Sequence, residues 1–299
     1  MTPSIVVPLD SSSAGEHALP FAGALAQRKQ TGVTLVSAIE VAIEFDAWVS
    51  TRDISPQDAV QEWIDGRRAY LSQVAGRLSG LEVATEVCLG HPADEIVAFV
   101  EELDDPILVL TSHARTGVAQ IVVGSVAFTI VHRVRCPVYV IRRFGDDEPA
   151  PEPNFASVLV PLDGSPLSER ALEQGLSVIG EPKPTLHLLR VVEAPRWITG
   201  SLGGGLVGEY YDASLAEARE YLDQQAERLR AAGYEVETHA IEGRPADVIA
   251  EQARTLGVGQ IAMATHARST AGRVFMGSVA LSVLQSAHLP LLLLHPREE

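Results

Sequence analysis

The chain writes one stretch twice. Leu108 to Arg143, LVLTSHARTGVAQIVVGSVAFTIVHRVRCPVYVIRR, returns as IAMATHARSTAGRVFMGSVALSVLQSAHLPLLLLHP from Ile261 to Pro296, 153 positions later. A repeat of that length asks for the same backbone path twice, and 299 residues suffice for two domains that each bury a core. Within each copy an apolar run ends in a polar turn carrying His113 or His266. Nine residues then separate Ala114 from Gly124, and Ala267 from Gly277. Each Gly-Ser opens a segment of helical spacing, so the unit reads strand, loop, helix, strand. The unpaired N–H groups of a helix's first turn, approached over a glycine, suit a phosphate.

The repeat extends back to the start of the chain. Ser4-IVVPLD-Asp10 and Ser157-VLVPLDG-Gly164 are apolar runs of the kind that form strands covered on both faces. Ser11 to Ser13 and Ser165 are placed to cap helices reaching about Gln30 and Ile179, with Pro166 suited to a first turn. Second strands follow at Val33–Ile39 and Thr185–Val192, then a variable region and helices over about Pro56–Leu78 and Glu209–Ala232. The offset slips from 153 to 151 there and recovers. Third strands, Glu82–Cys88 and Glu235–Ile241, lead into matched turns, Gly90-HPAD and Gly243-RPAD. Fourth strands cover Pro106–Thr111 and Gln260–Ala264, and fifth strands begin at Pro137 and Pro290. Each half is therefore βαβαβαβαβ, a parallel sheet with right-handed crossovers and helices on both faces. The acidic, proline-rich run from Phe144 to Asn154 reads as a linker, giving domains 1–144 and 156–299 around residues 145–155.

The motif G-x2-G-x9-G-[ST], followed by a helix and a short strand opening Cys-Pro-Val, resembles the ATP-binding signature of the universal stress protein family. Both copies keep the spacing and the final Gly-Ser; Thr111 and Ala114, and Ala264 and Ala267, stand where the first two glycines belong. The resemblance covers nearly the whole chain. It implies two tandem Rossmann-like α/β domains of the adenine nucleotide α-hydrolase type, strand order 3-2-1-4-5, with the fifth-strand edges pairing as an intramolecular pseudo-dimer and room for a further homodimer.

In an open parallel sheet ligands bind beyond the carboxyl ends of the strands, where the order reverses. With that order the first-half residues are Pro8, Leu9, Asp10, Ala38, Leu110, Thr111, His113, Ala114, Gly124, Ser125, Val126 and Ala127. Their second-half counterparts are Pro161, Leu162, Asp163, Val191, Met263, Ala264, His266, Ala267, Gly277, Ser278, Val279 and Ala280. The resemblance implies ATP or AMP there, with the adenine near Ala38 or Val191. Asp10 or Asp163 would mark the nucleoside end, and Ser125 or Ser278 the phosphates, with Mg²⁺ as the phosphate's companion. The alternative is that Asp10 and Asp163 cap the next helix in a fold without ligand. Arg115 and Arg268 are either phosphate partners or solvated surface.

Acidic residues outnumber basic ones 39 to 23, evenly over the halves, which excludes the basic footprint of a nucleic-acid binder. A free anion must then be held by local dipoles against the overall field. MTPSIVVPLDSS has no charged leader and no run approaches membrane-spanning length, so a cytoplasmic protein without a membrane partner is expected. Cys88 and Cys136 have no second-half counterparts. No His, Cys or Asp cluster shows ligand spacing along the chain, so no metal site is expected. His113 and His266 lack a paired acid at fixed spacing and fit a pocket wall better than a general base, which leaves no catalytic residue. Gly203-Gly-Gly205-Leu-Val-Gly208 matches G-x-G-x-x-G away from a first strand, and reads as a flexible loop over the pocket. The functions in view are a nucleotide-binding regulatory or stress-tolerance factor, a nucleotide-free dimerising module, and, third, an ATP-hydrolysing enzyme.

Overall fold

Strands whose residues are apolar without alternation need cover on both faces, and the computed structural model supplies it. The structure describes residues 5–40, 55–113, 124–143, 150, 152–193, 204–265 and 276–295. Its contacts divide the chain into two units, Met1–Glu152 and Pro153–Glu299.

In the first unit β1 (Ile5–Pro8), β2 (Val33–Ile39), β3 (Val83–Leu89), β4 (Ile107–His113) and β5 (Val138–Arg143) form a parallel sheet in the order β3-β2-β1-β4-β5. The second unit repeats the order with β6 (Ser157–Pro161), β7 (Thr185–Val192), β8 (Val236–Glu242), β9 (Gln260–Ala264) and β10 (Leu291–Leu294), arranged β8-β7-β6-β9-β10. The 3-2-1-4-5 expectation therefore holds in both. Ile5, Val6 and Val7, and Val158, Leu159 and Val160, are buried whichever face they point to. The outer strand β3 differs: Ala84, Thr85 and Glu86 are exposed, and a charge on an edge discourages further pairing.

Helices α1 (Leu19–Lys29), α2 (Pro56–Ala75), α3 (Pro92–Glu101) and α4 (Ser125–Arg133) connect the first set. α5 (Pro166–Ile179), α6 (Gly204–Ala231), α7 (Pro245–Leu256) and α8 (Ser278–Ser286) connect the second. α1 buries Leu19, Phe21, Ala22, Leu25 and Ala26, a stripe of helical period that faces the sheet. Its Phe21 meets the fully buried Tyr139 of β5, with ring centroids 4.7 Å apart and the planes tilted by 56°.

The matched turns form as expected. Gly90 and Gly243 have φ of 149° and 143°, which side chains rarely tolerate, and their N–H groups bond Ile39 and Val192 carbonyls at 3.0 Å. Pro92 and Pro245 then start α3 and α7.

Two expectations need correction. Ser11 to Ser13 do not open a regular helix: a 3₁₀ turn, Gly15–Ala18, precedes α1, and Ser12 Oγ accepts from its Gly15 N–H at 3.1 Å. The second copy has Pro166, whose fixed φ starts α5 directly, and there Ser165 is the N-cap, accepting from Ser168 N–H at 3.2 Å. The glycine-rich segment is also not a loop over its described length, because Gly204, Gly205 and Gly208 lie inside α6. Glycine disfavours a helix, but elongation from the Ala-, Glu- and Arg-rich run that follows costs far less than nucleation.

Candidate functional site

The ladder between β1 and β4 stops early. β1 pairs with β2 at four positions, Ile5 through Pro8, but with β4 only at Ile5↔Ile107 and Val6↔Leu108. β6 and β9 pair only at Val158↔Gln260 and Leu159↔Ile261. Pro8 has no N–H to prolong a ladder, and the strands' carboxyl ends part. In the first unit this opens a cleft of 590 Å³.

Pro8, Leu9, Asp10, Ala38, Leu110, Thr111, Gly124, Ser125, Val126 and Ala127 all line it, as the sequence places them. Gly15, Pro92, Ile96 and Ile130 line it too, and sequence reasoning missed them. Ile96 lies one turn beyond the matched Gly-His-Pro-Ala-Asp turn, which was the available signal. His113 ends β4 opposite Arg143. Ala114, His266 and Ala267 lie outside the described residues, as do Arg115 and Arg268. In the second unit Pro161 ends β6, Leu162 is buried and Asp163 exposed, Val191 lies on β7, and Met263 and Ala264 end β9. Gly277 precedes α8, which opens Ser278-Val279-Ala280.

Gly124 and Gly277 are the N-caps of α4 and α8, and neither helix receives a side-chain cap. The Gly124 carbonyl takes the Phe128 N–H at 2.8 Å, whereas the first-turn N–H groups of Ser125, Val126 and Ala127 have no acceptor within the helix. They stand at the positive end of the helix dipole, beside a mostly apolar cleft.

Asp10 and Asp163 do not cap a helix directly. Each makes a local turn, its Oδ1 accepting from the backbone N–H two residues on at 2.9 Å and from that serine's hydroxyl at 2.6 Å. Thr111, where the family motif has its first glycine, donates to the Gly15 carbonyl at 3.1 Å and so ties β4 to the 3₁₀ turn. The threonine does a structural task there that glycine could not.

Behind each aspartate lies a group that the linear reading passed over. Tyr70 Oη donates to Glu16 at 3.1 Å, and Tyr221 Oη to Glu169 at 3.0 Å. Burial, reinforced by the neighbouring glutamate, raises both phenols well above their usual range, while Arg67 or Arg190 pulls the other way. Arg190 sits 5.3 Å from the Tyr221 ring centroid and fills the space beside Gly164, whose φ is 77°. The usable signal was Glu16 and Tyr70 recurring at the repeat offsets.

The strands of the second unit bring together something that spacing along the chain cannot show. His187 of β7 and Glu237 and His239 of β8 gather their ligand atoms within 4.8 Å of one another. Among the described residues no helix is long and apolar enough to cross a membrane.

Comparison with known proteins agrees with this architecture. The family model described as "Universal stress protein family" matches residues 1–142 and again 154–295. Universal stress protein Rv2005c of Mycobacterium tuberculosis is 25% identical over 309 aligned positions, covering 96% of this chain and 95% of that protein. A universal stress protein of Mycolicibacterium smegmatis is 24% identical, covering 98% and 97%. Among solved structures, a universal stress protein from Archaeoglobus fulgidus superposes with a TM-score of 0.71 at 19% identity, covering 99% of this chain and all of that one. With the family model matched twice over nearly its full length, the chain belongs to the universal stress protein family, as a tandem member with two Rossmann-like α/β units.

Proposed function

We propose that the chain binds ATP or AMP at the end of β1, in the cleft of the first unit and at the matching positions of the second. One observation carries this: the β1–β4 ladder ends early beside an uncapped helix N-terminus. An apolar wall and a cluster of unpaired N–H groups fit a flat base joined to a polyanion, and 590 Å³ falls in the range of small-molecule pockets. On this reading Ala38 and Leu110 contact the base, Asp10 marks the nucleoside, and the N–H groups from Ser125 to Ala127 hold phosphate, with Mg²⁺ accompanying it. Val191, Asp163 and Ser278 to Ala280 serve in the second unit. The bound nucleotide sets the conformation or partners of a cytoplasmic regulatory or stress-tolerance factor, built of domains 1–144 and 156–299.

A second reading, an interaction module without nucleotide, draws on the inward bonding of Thr111 to Gly15 and of Asp10 to Ser12. Mass spectrometry of the denatured protein separates the two, with thermal melts as the second measure. Nucleotide carried through purification, or a melting temperature raised by ATP and not by inorganic phosphate, supports binding. At a hundredfold excess over Kd the gain is about 2.7 kcal/mol. A chain that copurifies without nucleotide and melts identically with millimolar ATP leaves the module reading. Ser125→Glu and Ser278→Glu, which set a carboxylate in each first turn, are expected to weaken ATP at least tenfold.

A further inference from the structure

We infer that His187, Glu237 and His239 form a three-ligand site for a divalent transition-metal ion of the zinc class on the β7–β8 face of the second unit. The sheet register builds it. His187 pairs directly with Glu237 across the parallel ladder, and His239 follows Glu237 by two residues, so all three share one face. Thr238, between them, bonds Asp223 of α6 at 3.4 Å on the other face.

The separations are those of a coordination polyhedron. His187 Nδ1 stands 3.3 Å from His239 Nε2 and 3.3 Å from Glu237 Oε2, and the remaining pair is 3.9 Å apart. A point equidistant from the three atoms lies about 2 Å from each, the length of zinc–imidazole and zinc–carboxylate bonds. Hydrogen bonding alone accounts for the cluster less well. The Nδ1 of a neutral His187 either donates or accepts, so it cannot both donate to Glu237 Oε2 and accept from His239 Nε2, which stand at the same distance of 3.3 Å.

Two imidazoles and a carboxylate are the donor set of three-ligand zinc centres, which leave a fourth position open to water. Here the open side is outward. His187 is buried and His239 half-buried, whereas Glu237 is exposed at the rim. Burial, and then the nearby His187, lower the His239 pKa despite Glu237. Glu235, accepting from Thr185 at 3.2 Å, adds negative potential one step along the strand. The first copy carries Thr34, Ala84 and Glu86 at the equivalent places, so the cluster does not come from the shared scaffold.

The full chain, stripped with chelator and kept free of nucleotide, is titrated with Zn²⁺ by calorimetry and with Co²⁺ by visible absorption. One equivalent is expected, with the intense d–d bands of four-coordinate Co²⁺ and a melting temperature raised by Zn²⁺. Glu237→Gln, on the exposed rim, and His239→Ala are each expected to weaken binding at least tenfold and to abolish that rise. His91→Ala, beside Asp94 in the first unit, is expected to change nothing. Absence of uptake by the parent chain, weak six-coordinate Co²⁺ bands, or binding that survives both replacements overturns the site. The circular dichroism of the metal-free variants separates a lost ligand from a lost fold. Nucleotide binding is not needed for any of these outcomes.

Discussion

Arg67 of α2 donates through Nη1 to the hydroxyl of Ser37 on β2, at 2.7 Å. Ser37 is fully buried and its hydroxyl donates a hydrogen bond to the Leu9 carbonyl at 2.5 Å, so the arginine is joined to the end of β1 through one side chain. At the repeat offsets the second copy has Arg190 in place of Ser37 and Ala218 in place of Arg67. The cation stays beside the tyrosine and changes the element it comes from.

Arg67→Ala is therefore expected to destabilise the first unit by about 1–2 kcal/mol, the scale of a hydrogen bond to a charged group, reduced because Arg67 is half-exposed. Ser37→Arg in that background copies the second unit and is expected to restore part of the loss. Urea unfolding of the single and double variants measures the coupling.

Gly164→Ala tests the other copy. The position has φ of 77°, and a methyl there would run into the Arg190 guanidinium. We expect a loss of about 1–2 kcal/mol from the backbone alone and more from the displaced arginine, read as a lower urea midpoint. Replacing Arg190 with a small residue in the same chain is expected to relieve only the second part.

Thr111→Val keeps shape and removes the bond to the Gly15 carbonyl. A cost of about 1 kcal/mol is expected in chemical denaturation. Thr111→Gly, which restores the motif residue, is expected to cost more, because it also frees the backbone at the end of β4.

Alkaline pH gives a further test. Burial pushes the Cys136 thiol up to about 12, and burial also raises the phenols of Tyr139, Tyr70 and Tyr221. Raised values favour the protonated forms in the folded chain. Their contribution is thus complete below the unfolded values, about 8.5 for a thiol and 10 for a phenol, and is lost as the pH climbs towards the folded ones. Melting temperatures are expected to hold to about pH 8.5 and to fall beyond it. Cys136→Ala is expected to flatten the first part of that fall. Thiol reagents at pH 8 should react with Cys136 more slowly in the folded chain than in the unfolded one, because the raised pKa leaves less thiolate.

What the sequence made legible was whatever is local or repeated. Apolar runs gave the strands because both faces are covered, and Gly90-His-Pro and Gly243-Arg-Pro located two helix starts because glycine and proline act on their own backbone. The cleft residues followed from the strand order that the family resemblance implied. The early start of α6 was hidden because its three glycines argue against a helix that the residues after them extend. Arg67 with Ser37, and His187 with Glu237, were hidden because each pair lies far apart in the chain and meets only through register and packing. Position 111 was read as a missing glycine, when its hydroxyl has a partner in Gly15.

Thr34, Ala84 and Glu86 stand in one copy where histidines and a glutamate stand in the other. Two separate identical chains could not have diverged in this way, since a single codon change would alter both subunits at once. Covalent linkage lets each half be inherited under its own selection, so the two copies of one scaffold can carry different side-chain chemistry.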